Sequence, residues 1–165
     1  MSRELWVINA SPMITLAKVG QLQLLEGADR AVAIPEAVAA EIVAGPVGDA
    51  ARMAIERGFG GAAIPVAPDT DVLEWGLGPG ESAVLSLARQ RRARAVVDDG
   101  EARAAAAVLG IPVIGTLGVV VLARAEGKIP SATSVLHALR DAGLHLDDEL
   151  VRRVLAETVG ETWKP

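Results

Sequence analysis

The chain contains no cysteine and no tyrosine, and only one phenylalanine and three tryptophans among its 165 residues. The missing cysteines exclude disulfides, thiolate metal ligands and cysteine nucleophiles together. They also fit a reducing, cytoplasmic setting. So few aromatic rings argue against the stacking platforms on which many single-strand nucleic-acid binders hold their bases. Lys and Arg number 16 against 21 Asp and Glu, a net charge of -5, which argues against a broad electrostatic footprint for nucleic acid. A local basic rim around an acidic, metal-filled centre is still compatible with that balance. The longest apolar stretch, "VIGTLGVVVLARA" from Val113 to Ala125, meets Arg124 well short of the ~20 residues that span a bilayer. The opening "MSRE" shows no basic flank, apolar stretch or cleavage site, so neither export nor a membrane anchor is expected. No G-x-G-x-x-G follows the first apolar run, which speaks against a dinucleotide site.

What is present is aliphatic. Hydrophobic residues make up 51% of the chain, enough for one substantial core of Val, Leu, Ile and Ala, and one domain over residues 1–165 is expected. Strand-like runs recur at "LWVIN", "AVAIP", "AAIPVA", "RAVVDD" and "IPVIGT", mostly separated by Ala-rich segments of helical spacing. The runs are continuous rather than alternating, as parallel strands covered on both faces are. The pattern predicts an α/β architecture of βαβ units. Helices are predicted over about Pro12–Leu25, Pro35–Val43, Val47–Arg57, Gly80–Arg91, Glu101–Leu109, Leu117–Glu126, Ser131–Ala142 and Asp147–Thr158. Ser11 before Pro12 reads as an N-cap with proline at the first helical position, and Pro35 and Pro79 stand near other helix starts. Ser131 and Asp147 open the last two helices.

The chemistry-bearing residues follow from this frame. Asn9 and Asp98 leave the carboxyl ends of two strands, the edge where α/β proteins meet their ligands, and Asp99 follows at once. Right-handed crossovers make those strands plausible neighbours, with both side chains in reach of one ion. Glu41 in "IPEAVAAEI" and Glu81 in "LGPGESAVLSLA" come from helices. Glu81, in a first helical turn, lies where the helix dipole favours an anion. Each acid has a plainer reading: a solvated helix residue for Glu41, a dipole-favoured acid for Glu81, a helix cap for Asp98 or Asp99. The weight lies in the set.

The ordered series "VINASPMITLAKVGQLQLL", "IPEAVAAEIV", "LGPGESAVLSLA", "VVDDGEARAAAAVLGIPVIGTLGVVVLARAEGKIPS" and "LRDAGLHLDDELVRRVL" resembles the PIN-domain nucleases, in particular a DUF3368-like subgroup related to VapC-type toxins. The resemblance runs through nearly the whole chain. It implies a three-layer α/β/α fold with a central parallel sheet of four to five strands, and a carboxylate cluster holding Mg²⁺ or Mn²⁺ for hydrolysis of RNA phosphodiester bonds. Carried over by position, the implied catalytic acids are Glu41, Glu81 and Asp98, and the implied metal-facing set is Asn9, Glu81, Asp98 and Asp99. Ser11 and Thr116 also stand at family-like positions and are implied contacts to a ligand or a metal-bound water. Each is equally readable as a cap or turn residue.

Asn9 departs from the family pattern, which has aspartate there. An amide still offers a carbonyl oxygen but brings no charge to a cation, so metal affinity should fall. Two functions therefore stand side by side: a metal-dependent ribonuclease, as in the toxin half of a toxin-antitoxin pair, and a weakened or inactive PIN-like module that binds RNA or a protein partner. A receiver-like protein ranks below both, because the acid pair comes late and no lysine lies between Lys18 and Lys128. The apolar content of so short a chain, together with the resemblance, predicts a homodimer or an antitoxin partner.

Other features are ambiguous on sequence alone. Arg89, Arg91, Arg92 and Arg94 in "ARQRRARA" suit either RNA phosphates or the carboxyl end of a helix. Arg103, one turn beyond the acids, suits a phosphate or an ion pair with Asp99. His137 and His145 are read as standing apart from the acids. Trp75 is read as packing the loop before Glu81, and Trp163 as a partner contact or mere tail.

Overall fold

The structure, a computed structural model, describes residues 3–165. Four parallel strands form its sheet, β1 (Glu4–Ile8), β2 (Arg30–Ala33), β3 (Arg94–Val96) and β4 (Val113–Ile114), in the order β2-β1-β3-β4. Helices α1 (Ala10–Lys18), α2 (Glu36–Val43), α3 (Ala50–Glu56), α4 (Thr70–Leu73), α5 (Pro79–Arg91), α6 (Gly100–Leu109), α7 (Thr116–Ala125), α8 (Ala132–Asp141) and α9 (Asp148–Thr158) flank it. The arrangement is three-layered α/β/α. Helix α5 packs on β1 and β3, and α7 packs on β4 with α8 and α9 against it.

The sequence explains the centre directly. Trp6, Val7 and Ile8 are all buried because β1 is covered on both faces, which is why its hydrophobic run does not alternate. From β1 the chain first adds β2 on one side and later β3 on the other, so the winding direction reverses between β1 and β3. Their carboxyl ends open a crevice at that reversal, the usual place for a ligand in such sheets. Ile8 lies in register with Val96, and the Asn9 N–H donates to the Val96 carbonyl at 3.1 Å.

Several predicted elements are corrected. "AAIPVA" forms no strand: Ile64 makes a single bridge to Pro35, with Ile64 donating to the Ile34 carbonyl and receiving from the Glu36 N–H. The pairing goes no further because the partner segment turns into α2 at Glu36. The helix predicted over 12–25 is two pieces, α1 and a 3₁₀ turn at Leu22–Leu25, divided at Gly20, whose φ of 70° continues no right-handed helix. Helix α1 also starts earlier, so Ser11 is inside its first turn and Asn9 is its N-cap. By contrast Pro35 is the N-cap of α2, Pro79 opens α5, and Ser131 and Asp147 cap α8 and α9 through bonds from Ser134 and Leu150.

The carboxyl-terminal segment is built in. Trp163 is buried, stacks on His137 with ring centres 4.2 Å apart, and donates its indole N–H to Asp148 at 2.8 Å. Arg140 reaches the same carboxylate and also donates to the Leu146 carbonyl at 2.7 Å. Thus Trp163 is neither tail nor free partner surface. Glu161 accepts from the Ala132 and Thr133 N–H groups at the start of α8 and pairs with Arg124.

Candidate functional site

Asn9 is 3% exposed, and as the N-cap of α1 its side chain makes no capping bond. An N-cap asparagine ordinarily accepts from a backbone N–H one turn ahead. Here Oδ1 is buried without any hydrogen-bond partner, a costly state unless something outside the chain completes it. Asn9 lines the crevice. Its Oδ1 lies 3.5 Å from the point where a Cβ would stand on Gly80, and Glu41 Oε2 lies 2.7 Å from the same point. Glycine at 80, the second residue of α5, thus leaves room for the Glu41 carboxylate to approach Asn9 over the helix start.

Asp98 leaves β3 beside Asn9 and is held firmly. Its Oδ1 accepts from the Thr116 N–H at 2.7 Å and its Oδ2 from the Thr116 hydroxyl at 2.6 Å. Thr116, fully buried, is the first residue of α7. Its bonds are charge-assisted and at a helix start, where the dipole favours the carboxylate. Each oxygen keeps lone-pair capacity toward the crevice. Asp99 caps α6 by accepting from the Ala102 N–H at 2.9 Å, so the helix-cap reading holds for it. Glu81 occupies the first turn of α5.

A cleft of about 420 Å³ brings Asn9, Ser11, Glu81, Asp98 and Asp99 together, joined by Thr15 and by His145 from the loop before α9. Glu41 stands near Asn9 at Gly80 and does not line this cleft, and Thr116 holds Asp98. His145 is the residue that sequence reasoning misplaced. It follows α8 in the chain, and only the return of that helix to the sheet edge brings it to the acids; no periodicity in "GLHLDDEL" signals this.

The arginines sort differently from expectation. Arg89 is bound to Asp69 and Asp71, and Arg94 to Glu4. Arg103 donates to the Val97 carbonyl at 3.1 Å instead of pairing with Asp99. Its Nη1 and Asp98 Oδ1 both stand within 3.0 Å of the point a Cβ would take on Gly115, so that glycine permits their close approach. Trp75 is 38% exposed at the turn after α4.

The donor set is all oxygen, and the unpartnered Asn9 Oδ1 suits a hard divalent cation. Among the described residues, however, no three His, Asp or Glu side chains are gathered as a ready metal group. The fit is therefore to a cation held by fewer charges than a full carboxylate cluster would supply.

A doubly flanked parallel sheet with an amide and an acid at the exits of adjacent strands defines a protein whose chemistry sits at the winding reversal. The chain belongs to the PIN domain family known as DUF3368, whose pattern matches residues 5–160. PIN domains are nuclease-type domains, in general dependent on divalent metal and directed at RNA. No curated protein matches the chain. No helix among the described residues is long and apolar enough to cross a membrane.

Proposed function

We propose that the protein is a metal-dependent endoribonuclease that hydrolyses RNA phosphodiester bonds at the crevice between β1 and β3, acting through residues 1–165 as one unit. The observation that carries this reading is the buried, unpartnered Oδ1 of Asn9, a residue that lines the same cleft as Glu81 and Asp98. In this proposal Asn9, Glu81 and Asp98 hold Mg²⁺ or Mn²⁺, Asp99 supports the outer side, and Glu41 adds negative charge next to Asn9. The bound ion supplies an acidified water and neutralises charge on the scissile phosphate. Thr116 fixes the Asp98 carboxylate, and Ser11 and Arg103 lie where substrate oxygens pass. A kinship with VapC-type toxins, an antitoxin partner and a homodimer belong to the same proposal, resting on the family resemblance; a cytoplasmic location rests on the lack of cysteine.

The second reading is a PIN-like module that binds RNA or protein without cutting. It is favoured by the neutral amide at position 9 and by the lack of a gathered three-acid group among the described residues. Cleavage of mixed-sequence single-stranded RNA in Mn²⁺ separates the two, with Asp98→Asn and Asn9→Asp run alongside. The nuclease reading requires the native protein to cut and Asp98→Asn not to. Cutting by Asn9→Asp alone would make the native chain the binding-only form.

A further inference from the structure

Beside the acid cleft lies a second cleft of about 420 Å³, between the β4–α7 segment and α9. The two share Asp98, Leu144 and His145, so they are continuous around that carboxylate. Their linings differ in kind. Most residues lining the acid cleft are polar; the second is walled mainly by aliphatic side chains, among them Ile114, Leu117, Leu150 and Val154, with Asp147 also in its lining and Arg103 at the end nearest Asp98. An apolar cavity carrying a few convergent polar groups is the usual form of a small-ligand site. Gly115 and Gly118 let its wall pack closely: a Cβ on Gly118 would come within 2.7 Å of Ile114 Cγ1, and one on Gly115 within 2.8 Å of Arg103 Nη1.

We propose that this cleft is a nucleobase subsite, taking the base of the nucleotide next to the phosphate that a cation at Asp98 would hold. This rests on the nuclease or RNA-binding reading above and names how that site engages its substrate. The occupant must be flat, largely apolar on its faces, polar at its rim, and joined to an anion one sugar away. A nucleotide has that form. The aliphatic walls cover the faces of the base, which suits a chain too poor in aromatic rings to stack it. The Arg103 guanidinium, whose Nη1 is committed to the Val97 carbonyl, offers its other N–H donors to the rim or to the adjoining phosphate. His145 stands where the two clefts meet and contacts the ribose between base and phosphate. The wall is preformed, because Arg140 holds the Leu146 carbonyl and Asp148, which Trp163 also grips.

The test is methyl NMR on the full chain in Mg²⁺, titrated separately with AMP, CMP, GMP, UMP and ribose 5-phosphate. At least one nucleotide should shift the Leu117, Leu150 and Val154 methyls, and ribose 5-phosphate should not. Leu150→Trp, at a residue that is 40% exposed, fills the cleft from its rim and should weaken nucleotide binding about ten-fold, on the scale of one lost base contact. Val154→Phe, one helical turn on, gives an independent occlusion with the same expected loss. Unmoved methyls, equal shifts from ribose 5-phosphate, or unchanged affinity in both occluded variants would overturn the subsite. RNA cleavage by the native protein alongside unmoved methyls would reject the subsite and leave the nuclease reading standing. Shifted methyls without RNA cleavage would support the subsite and reject the nuclease.

Discussion

Thr116 grips both oxygens of Asp98, one with its N–H at 2.7 Å and the other with its hydroxyl at 2.6 Å. This ties the exit of β3 to the start of α7 and sets the direction in which the remaining lone pairs of the carboxylate point.

Thr116→Val should therefore leave the fold intact and impair the site. The methyl groups keep the packing, but the hydroxyl donor is lost and Asp98 gains rotational freedom. A bond to a charged group contributes about 1.5–3 kcal/mol, and a comparable loss of positioning would lower RNA cleavage about ten-fold or more. Thr116→Ser should recover most of that rate, measured under identical Mn²⁺ conditions. Equal activity in the native protein and Thr116→Val would show that Asp98 orientation is set elsewhere.

Gly80→Ala probes the other side of the crevice. The added methyl would stand 2.7 Å from Glu41 Oε2 and 3.5 Å from Asn9 Oδ1, so the Glu41 carboxylate must move away. Alanine is otherwise favoured over glycine within a helix by roughly 0.5–1 kcal/mol. Thermal stability should accordingly change little while Mn²⁺ affinity and cleavage fall, as read by calorimetry and by RNA turnover. A variant that unfolds early, or one that binds and cuts normally, would contradict the role given to that glycine.

Glu161 makes the fold sensitive to acid. Burial alone would raise its pKa, but bonds from the Thr133 and Ala132 N–H groups and from the Ser131 hydroxyl outweigh burial and lower it from 4.5 to about 2. A depressed carboxylate pKa stabilises the fold above the unfolded value and loses that contribution as pH falls through the folded one. Stability should thus decline between about pH 4.5 and 2, followed by denaturant unfolding at each pH. Glu161→Gln should be less stable at neutral pH and show a shallower decline over that interval.

Much of the site was legible in the sequence because strand exits are marked by the end of an apolar run. "LWVIN" and "RAVVDD" place Asn9 and Asp98 at one edge, and parallel pairing makes them neighbours. The Pro-Gly start of α5 placed Glu81 equally well. Long-range closure was not legible. His145 reaches the acids only through the packing of α8 and α9, and the burial of Trp163 depends on His137, Arg140 and Asp148, none of which marks it in the sequence. Ser11 misled for a different reason. Ser-Pro is a strong helix-start signal, yet β1 ends so abruptly that α1 begins at Ala10, and the capping position falls to an asparagine whose side chain makes no capping bond.

Whether Asn9 occupies a cation position is decided by calorimetric titration of Mn²⁺ into the native protein, Asn9→Asp and Asp98→Asn. Restoring a carboxylate adds a full charge in a site where the ion's own charge dominates. Asn9→Asp should bind Mn²⁺ about ten-fold more tightly or better, a difference of about 1.4 kcal/mol, and Asp98→Asn should bind it more weakly than the native protein. Identical Mn²⁺ affinities in the native protein and Asn9→Asp would place the ion elsewhere and contradict the account.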